Sequence, residues 1–281
     1  MTGGTRAGTV RRMHLAVQLP GEGERALPPD FDAYVRLART AERGLFDFLL
    51  LAERPPPADS RTGQAPPATG PEPLTVLNAL AAVTDLIGLA AAVRPGGREP
   101  YALARRIAAL DRLSAGRAAG PASAVPELTV PRGPQGRPVV IGDGDDAAAE
   151  VAVVTGAVRR ARPGTRVLAR VGYVLAEEPG EEPGGVRAAG PPPPGGPFAD
   201  LFAGPLLGPP RALADRLDAH VQSGAVDGYV LLPEPAPGGR GLDAFVDRVV
   251  PLLQERGSLR TAYRGTTLRE HLGLPRPVWK A

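Results

Sequence analysis

Residues 72–117 read EPLTVLNALAAVTDLIGLAAAVRPGGREPYALARRIAALDRLSAGR, and this stretch decides the fold. Pro73 suits the first turn of a helix, and the residues that follow it recur at helical spacing on one face: Leu74, Leu77, Ala81 and Thr84. The apolar run from Leu86 to Val93 then predicts a buried strand, because it is bounded by the turn residues Pro95-Gly96-Gly97.

A second helix is predicted from Pro100, and Gly116 ends it. Its apolar stripe recurs at helical spacing and contains Leu103, Ile107, Leu110 and Leu113. A nearly continuous apolar strand between two helices is typical of a parallel sheet covered by helices, because both faces of such a sheet are buried. We therefore predict an α/β protein.

The same residues closely resemble the third strand and flanking helices of luciferase-like flavin-dependent monooxygenases. The nearest likeness is to the branch that contains the nitrilotriacetate, dibenzothiophene-sulfone and pristinamycin monooxygenases. Residues 128–141, LTVPRGPQGRPVVI, and the tail at 260–277, RTAYRGTTLREHLGLPRP, are similar to the same branch. A large insertion that the family carries in its active site, with a His and Tyr pair, has no counterpart in this chain.

The resemblance implies a (β/α)8, TIM-barrel-like fold. Segments with strand character lie near residues 13, 45, 86, 116, 138, 166 and 227, one fewer than a full barrel needs. The residues from Ala147 to Val154 predict a helix instead. We therefore expect an incomplete or irregular barrel with its active face at the carboxyl ends of the strands, near Glu53, Arg94 and Gly142.

The chain divides into a tail, a barrel and a second tail. Residues 1–12 are small and polar and predict a disordered tail, so Met1 and Met13 both stay open as the natural start. Residues 13–257 predict a single barrel domain with Pro/Gly-rich loops at 54–71 and 177–197. We expect residues 258–281 to form a C-terminal tail that packs on the barrel.

The composition excludes several classes of function. The chain has no cysteine, and its single lysine, Lys280, lies beside the C-terminus, so thiolate sites and a catalytic or phosphate-loop lysine are excluded. A net charge of +3 with interspersed acidic residues does not make a nucleic-acid footprint. No apolar run approaches the ~20 residues that span a bilayer, and we expect a cytoplasmic protein.

The resemblance implies a reduced flavin mononucleotide (FMN) cofactor, but the matching residues depart from the family pattern. Where the family has AGxSxxG at a phosphate-binding helix start, this chain has Gly142-Asp143-Gly144-Asp145-Asp146. A carboxylate there would repel the phosphate by ~1 kcal/mol or more. Capping of the helix is the favoured interpretation of these acids over a metal site, and no metal is expected.

The ring-edge donors of the family also differ here. Its STTY run corresponds to Arg94-Pro95-Gly96-Gly97, its asparagine to Pro121, and its aspartate after strand two to Glu53. No catalytic residue can be assigned on this basis. The candidate cofactor-binding residues are Glu53, Arg94, Gly142, Gly144 and Asp146.

Two classes of function stay open. One is an FMN-dependent monooxygenase with a divergent site, which acts on a small organic substrate and receives weakly held reduced flavin from a separate NAD(P)H:flavin reductase. The other is a non-catalytic descendant, a pseudoenzyme that serves as a scaffold or small-molecule binding protein. A homodimer is compatible with either.

Overall fold

The structure, a computed structural model, describes residues 10–19, 30–52, 71–93, 100–124, 132–156, 162–176, 199–202, 204–233 and 241–277. In these ranges nine strands form one sheet, and every neighbouring pair is parallel. The strands are His14–Leu19 (β1), Phe48–Ala52 (β2), Gly88–Ala92 (β3), Ala118–Gly120 (β4), Val139–Asp143 (β5), Val151–Val154 (β6), Arg166–Leu175 (β7), Leu206–Gly208 (β8) and Gly228–Pro233 (β9).

The sheet closes on itself. Its order is β6-β5-β4-β3-β2-β1-β9-β7-β8, and an additional pairing joins β6 to β7. Strands β1 to β7 and β9 therefore form a closed parallel barrel of eight strands, and β8 lies beside the last residues of β7. The predicted (β/α)8 fold is confirmed, and its irregularity lies in the connections between strands rather than in an open sheet.

Most helices follow the local signals. Asp30 caps α1 by accepting a hydrogen bond from the Asp32 amide, Glu72 caps α2, and Pro251 lies in the first turn of a short helix. None of the helices in the described ranges is long and apolar enough to cross a membrane. The helices are Phe31–Arg43 (α1), Pro73–Ala81 (α2), Pro100–Leu113 (α3), Pro210–Gln222 (α4), Gly241–Arg248 (α5), Val250–Glu255 (α6) and Leu268–His271 (α7).

The predicted helix from Ala147 to Val154 is wrong, because residues 151–154 form strand β6. Val151 pairs with Ile141, and the Glu150 amide donates to the Val140 carbonyl at 2.9 Å. All four residues of β6 are buried, so the β-branched run fills a place between β5 and β7 that a helix could not occupy. This is the strand that was missing from the sequence-based count.

Other predicted bounds shift by a few residues. The second strand begins at Phe48 rather than Leu45, because Leu45 has a φ of 59° and lies in the turn that follows α1. Leu113 was predicted in the buried stripe of α3, but it is 70% exposed at the end of that helix.

Two layers of core fill the protein. Alternate residues of the strands point outward and pack with the helices around Leu15, Leu49 and Tyr229. The residues between them point into the barrel, where Ala16, Phe48, Leu50, Ala90 and Val230 belong to a second cluster. Three residues of the C-terminal tail, Leu268, Leu272 and Leu274, complete that inner cluster.

The tail closes the amino-terminal end of the barrel. The Leu268 amide donates to the Gly116 carbonyl just before β4, and the Arg166 Nε at the start of β7 donates to the Leu272 carbonyl at 2.9 Å. The division of the chain at residues 12 and 257 stays a prediction. The loops predicted at 54–71 and 177–197 lie almost entirely outside the described residues.

Candidate active face at the carboxyl ends of the strands

The inner face of the barrel opens toward the carboxyl ends of its strands. Residues deeper in the barrel, such as Ala16, Leu50 and Ala90, are buried. In six of the strands, inward-facing residues nearer the carboxyl end are partly or fully exposed instead. These mouth residues are Gln18, Ala52, Ala92, Asp143, Gly172 and Leu232. This is the end at which (β/α)8 barrels place their active sites.

Gln18 is the mouth residue whose chemistry indicates a ligand. It shares the inner face with Ala16, two positions earlier in β1. Its Oε1 atom is buried and accepts no hydrogen bond from any described residue. A buried acceptor without a donor is unfavourable by about 1–3 kcal/mol, so a ligand N–H or O–H would be favoured there.

Arg170 is a second inward-facing residue of the barrel, and it was not predicted from the sequence. It lies in β7 two positions after Leu168, which belongs to the inner cluster, and its side chain is half-buried. It brings a positive charge into the barrel. The signal was available, because this is the one charged residue in the middle of the run RVLARVGYVL and it falls on the same face as Leu168.

The turn after β5 brings together three of the predicted cofactor-binding residues, Gly142, Gly144 and Asp146. The Asp146 amide donates to the Asp143 carbonyl at 2.9 Å, and Asp146 Oδ1 accepts from the Ala148 amide at 2.9 Å. A Cβ atom on Gly142 would lie 2.5 Å from Asp146 Oδ2, so the carboxylate of Asp146 covers Gly142. The close approach requires glycine at this position.

No helix follows this turn in residues 143–156, so the acids do not cap one. The interpretation of residues 143–146 as a helix start is therefore wrong. The physical reason is that seven residues, 144–150, connect β5 directly to β6, and the helical turn with its free N–H groups is not formed.

The other two predicted cofactor-binding residues, Glu53 and Arg94, lie outside the described residues. Three further polar residues of the described structure lie away from the mouth. Asn78 donates from Nδ2 to the Leu74 carbonyl of its own helix at 2.7 Å. His14 begins β1 at the opposite end of the barrel and lies 3.2 Å from Asp47, and His220 contacts the Arg216 carbonyl in α4.

The most perturbed carboxyl groups lie away from the mouth. Burial raises the pKa of Asp47, but the charges of Arg260 and His14 outweigh it and lower that pKa to about 2. Burial raises the pKa of Asp111 to about 6, although Gln135 donates a hydrogen bond to its carboxylate at 2.6 Å. Both groups stabilise the amino-terminal end of the barrel. Their pKa shifts therefore concern the stability of the fold rather than catalysis.

The amino-terminal part of the chain matches a known family model. Residues 10–119 match the model described as "Luciferase-like monooxygenase". This part of the chain is similar to the luciferase-like monooxygenase family. It includes β1 to β4 and the helices between them, and so supplies the mouth residues Gln18, Ala52 and Ala92.

Curated luciferase-like relatives match a short segment at high identity. N-acetyl-S-(2-succino)cysteine monooxygenase of Bacillus subtilis is 49% identical over 73 residues, which are 26% of this chain and 16% of that protein. Nitrilotriacetate monooxygenase component A of Aminobacter aminovorans is 46% identical over 72 residues, with the same two shares. The matched segment therefore spans less than a fifth of the relatives' length.

The fold of a luciferase-like enzyme extends over nearly the whole chain. The EDTA monooxygenase of Chelativorans superposes with a TM-score of 0.72 and 21% sequence identity. The superposition covers 95% of this chain and 99% of that chain. At this identity the likeness shows the barrel fold alone.

Proposed function

We propose that this chain is a flavin-dependent monooxygenase that acts on a small organic substrate at the carboxyl-end mouth of the barrel. The observation that carries the proposal is the buried Gln18 Oε1, which has no partner among the described residues, at a mouth that also contains the small residues Ala52 and Ala92. An acceptor among small side chains suits a flat ring that carries N–H groups. The similarity of residues 10–119 to the luciferase-like family supports the choice of flavin.

The two halves of FMN fit the described residues differently. The mouth suits the ring, because Ala52, Ala92 and Gly172 have small or no side chains there and Gln18 offers an acceptor. The turn after β5 does not fit the phosphate, because Asp146 covers Gly142 and Asp143 and Asp145 add further negative charge. We propose that this protein holds the flavin mainly by its ring, and only weakly.

Reduced flavin supplies the electrons and activates molecular oxygen, so that one oxygen atom enters the substrate and the other leaves as water. The protein positions the flavin ring and excludes water. Gln18 orients the ring through a hydrogen bond, and the buried apolar layer of Leu50, Ala90 and Val230 below it keeps water out of the barrel. No described residue is assigned as a general acid or base.

We further propose that reduced flavin comes from a separate NAD(P)H:flavin reductase. Weak flavin binding requires an outside supply, and one relative carries the words "component A" in its name, as part of a larger system. The substrate stays open, and the predicted loop at 54–71 after β2 lies almost entirely outside the described residues. A homodimer also stays a proposal.

The phosphate mismatch predicts an unusual preference among flavins. Under anaerobic conditions we expect reduced riboflavin, which has no phosphate, to bind the wild-type protein at least as tightly as reduced FMN. The double substitution Asp145→Ala/Asp146→Ser should tighten FMN binding about 30-fold, at ~1 kcal/mol per removed charge, and leave riboflavin binding unchanged. Fluorescence titration measures both.

The matched control for this titration is Asp85→Ala/Glu255→Ala, which removes two exposed acids remote from the mouth. It should leave both affinities unchanged. Tight, stoichiometric binding of FMN to the wild-type protein, with riboflavin bound far more weakly, would show that a phosphate site exists after all.

Gln18→Leu is expected to lower activity and raise stability together. Loss of the acceptor should reduce kcat/KM about 10-fold, whereas removal of an unsatisfied buried amide oxygen should stabilise the fold by ~1 kcal/mol. Oxygen uptake is measured with a flavin reductase, NADH and a panel of sulfones, amines and aminocarboxylates, above the free-flavin background. If Gln18 served only the fold, its replacement would lower the melting temperature and leave kcat/KM unchanged.

A non-catalytic binding protein is the second candidate, and the acidic turn after β5 favours it. Under that alternative the wild-type protein would show no substrate-dependent oxygen uptake with any flavin. Product formed above the free-flavin background, and lost in Gln18→Leu, would eliminate it.

A further inference from the structure

A cavity lies at the amino-terminal end of the barrel, opposite the mouth. Its volume is about 200 Å³, and the starts of β1 and β7 form it together with the C-terminal tail. Positively charged and imidazole side chains dominate its lining: Arg12, His14, Arg166, Arg260, Arg264 and His271. The proposed monooxygenase activity uses none of them.

The positive charge of this cavity is only partly neutralised. Asp47 is paired with Arg260, and the Glu270 carboxylate accepts from the Thr266 and Thr267 amides in the capping box of α7. Arg12 and Arg264 make no ion pair or hydrogen bond with any described residue. An excess of arginine around one cavity therefore stays available to an anion.

Arg166 is held in place and keeps donors to spare. Its Nε donates to the Leu272 carbonyl at 2.9 Å and its Nη2 to the Gly273 carbonyl at 3.3 Å. These bonds fix the guanidinium against the tail and leave Nη1 unused in the described structure. A fixed guanidinium loses little entropy when it binds an oxyanion.

His271 supplies an independent sign of a missing ligand. The residue is 5% exposed, and its ring lies 4.8 Å from the ring of Tyr263. Nε2 lies 3.4 Å from the Gly265 carbonyl, so it donates there. Nδ1 is buried and has no hydrogen-bond partner among the described residues. A buried polar atom on a cavity wall is normally satisfied by a ligand or by water.

We propose that this cavity binds a small oxyanion of the phosphate class, either as free phosphate or as the head of a phosphomonoester. Three arginines from separate parts of the chain, Arg12, Arg166 and Arg264, suit a tetrahedral anion that presents oxygens in several directions. His271 Nδ1 accepts from a protonated phosphate oxygen. The cavity volume of about 200 Å³ gives room for several waters and therefore for a phosphate.

The anion would join the tail to the barrel. Arg12 precedes β1 and Arg166 begins β7, whereas Arg264 and His271 belong to the tail. The unfolded chain brings none of these groups together, so the anion binds the folded state and stabilises it by mass action. A bound anion would therefore hold the tail against the amino-terminal end of the barrel.

Inorganic phosphate at constant ionic strength tests the proposal, with the full chain and chloride as the reference anion. At tenfold excess over the dissociation constant we expect the melting temperature to rise by about 2–4 °C. The double substitution Arg12→Gln/Arg264→Gln should weaken phosphate binding about 10-fold or more, as measured by calorimetry. Repeating the titration with ribose 5-phosphate distinguishes a phosphomonoester from free phosphate as the preferred ligand.

The matched control is Arg36→Gln/Arg248→Gln, which removes the same charge from two exposed helix positions. It should keep the full response to phosphate. The proposal is overturned if phosphate stabilises the wild-type protein no more than chloride does, or if the Arg12/Arg264 variant and the control respond equally. Because the mouth residues are untouched, either result leaves the monooxygenase proposal standing.

Discussion

Asp47→Asn is expected to lower the free energy of unfolding by about 3–5 kcal/mol. The Asp47 side chain is 0% exposed, and its carboxylate is ion-paired with Arg260 and lies 3.2 Å from His14 Nδ1. It also accepts from the Leu15 amide at 2.9 Å. Removal of its charge leaves the guanidinium of Arg260 buried without a counter-charge, which is far more costly than loss of an exposed pair. Urea unfolding measures the change.

The pH dependence of stability gives a second test of the same group. The folded-state pKa of Asp47 is about 2, below the ordinary value of 3.8. Its ion pairs therefore contribute fully above pH 3.8, and the contribution is lost as the pH falls from there toward 2. Asp47→Asn should reduce the change in the free energy of unfolding over that pH range. If the variant and the wild-type protein lose the same stability there, Asp47 is not the group responsible.

Asp243→Asn is the matched control for Asp47→Asn. Asp243 pairs with Arg43 at 3.5 Å, but about half of each side chain is exposed. Solvent screens such a pair, so its loss should change stability by about 0–1 kcal/mol. A similar loss in both variants would show that burial does not decide the strength of the Asp47 pair.

Arg269→Met is the second substitution with a large expected effect, also about 3–5 kcal/mol. Arg269 is 2% exposed, and it donates to both carboxylate oxygens of Glu150, at 2.7 and 3.1 Å. A further bond reaches the Pro275 carbonyl at 3.0 Å. The side chain thus ties the tail to the start of β6, and its loss leaves Glu150 partly buried with only Arg137 as a counter-charge.

The double variant Arg269→Met/Glu150→Gln separates the ion pair from the packing. Glutamine still accepts from the Val140 amide, which Glu150 contacts at 3.0 Å, but it leaves no buried charge. We expect it to recover part of the stability lost in Arg269→Met. Unfolding by urea with intrinsic Tyr fluorescence follows both variants, and equal loss in the single and double variants would contradict the charge-based account.

Local patterns were sufficient for most elements of the barrel. Alternation and helical spacing depend only on neighbours along the chain, so β3, α3 and β7 were predicted within a few residues. The same patterns failed at residues 147–154, where an Ala-rich start resembles a helix. Pairing with β5 and β7 decided that segment, and those partners lie elsewhere in the chain.

The candidate site was predicted less completely. Gly142, Gly144 and Asp146 were expected together because they are adjacent in sequence, and the structure places them in one turn. Gln18 and Arg170 were missed, although each falls on the inner face by simple alternation. Their importance depends on closure of the barrel, which surrounds an inward side chain with strands that are distant in sequence.

The sequence by itself determined the resemblance to luciferase-like monooxygenases, the parallel α/β fold and the acidic run after β5, because each depends on residue identity and local order. Only the tertiary structure decided that the sheet closes, that a short turn replaces a helix before β6, and that arginines from both ends of the chain meet in one cavity. The physical reason is that burial and charge pairing depend on distances in space. Arg12 and Arg264 are far apart along the chain, yet they line the same wall.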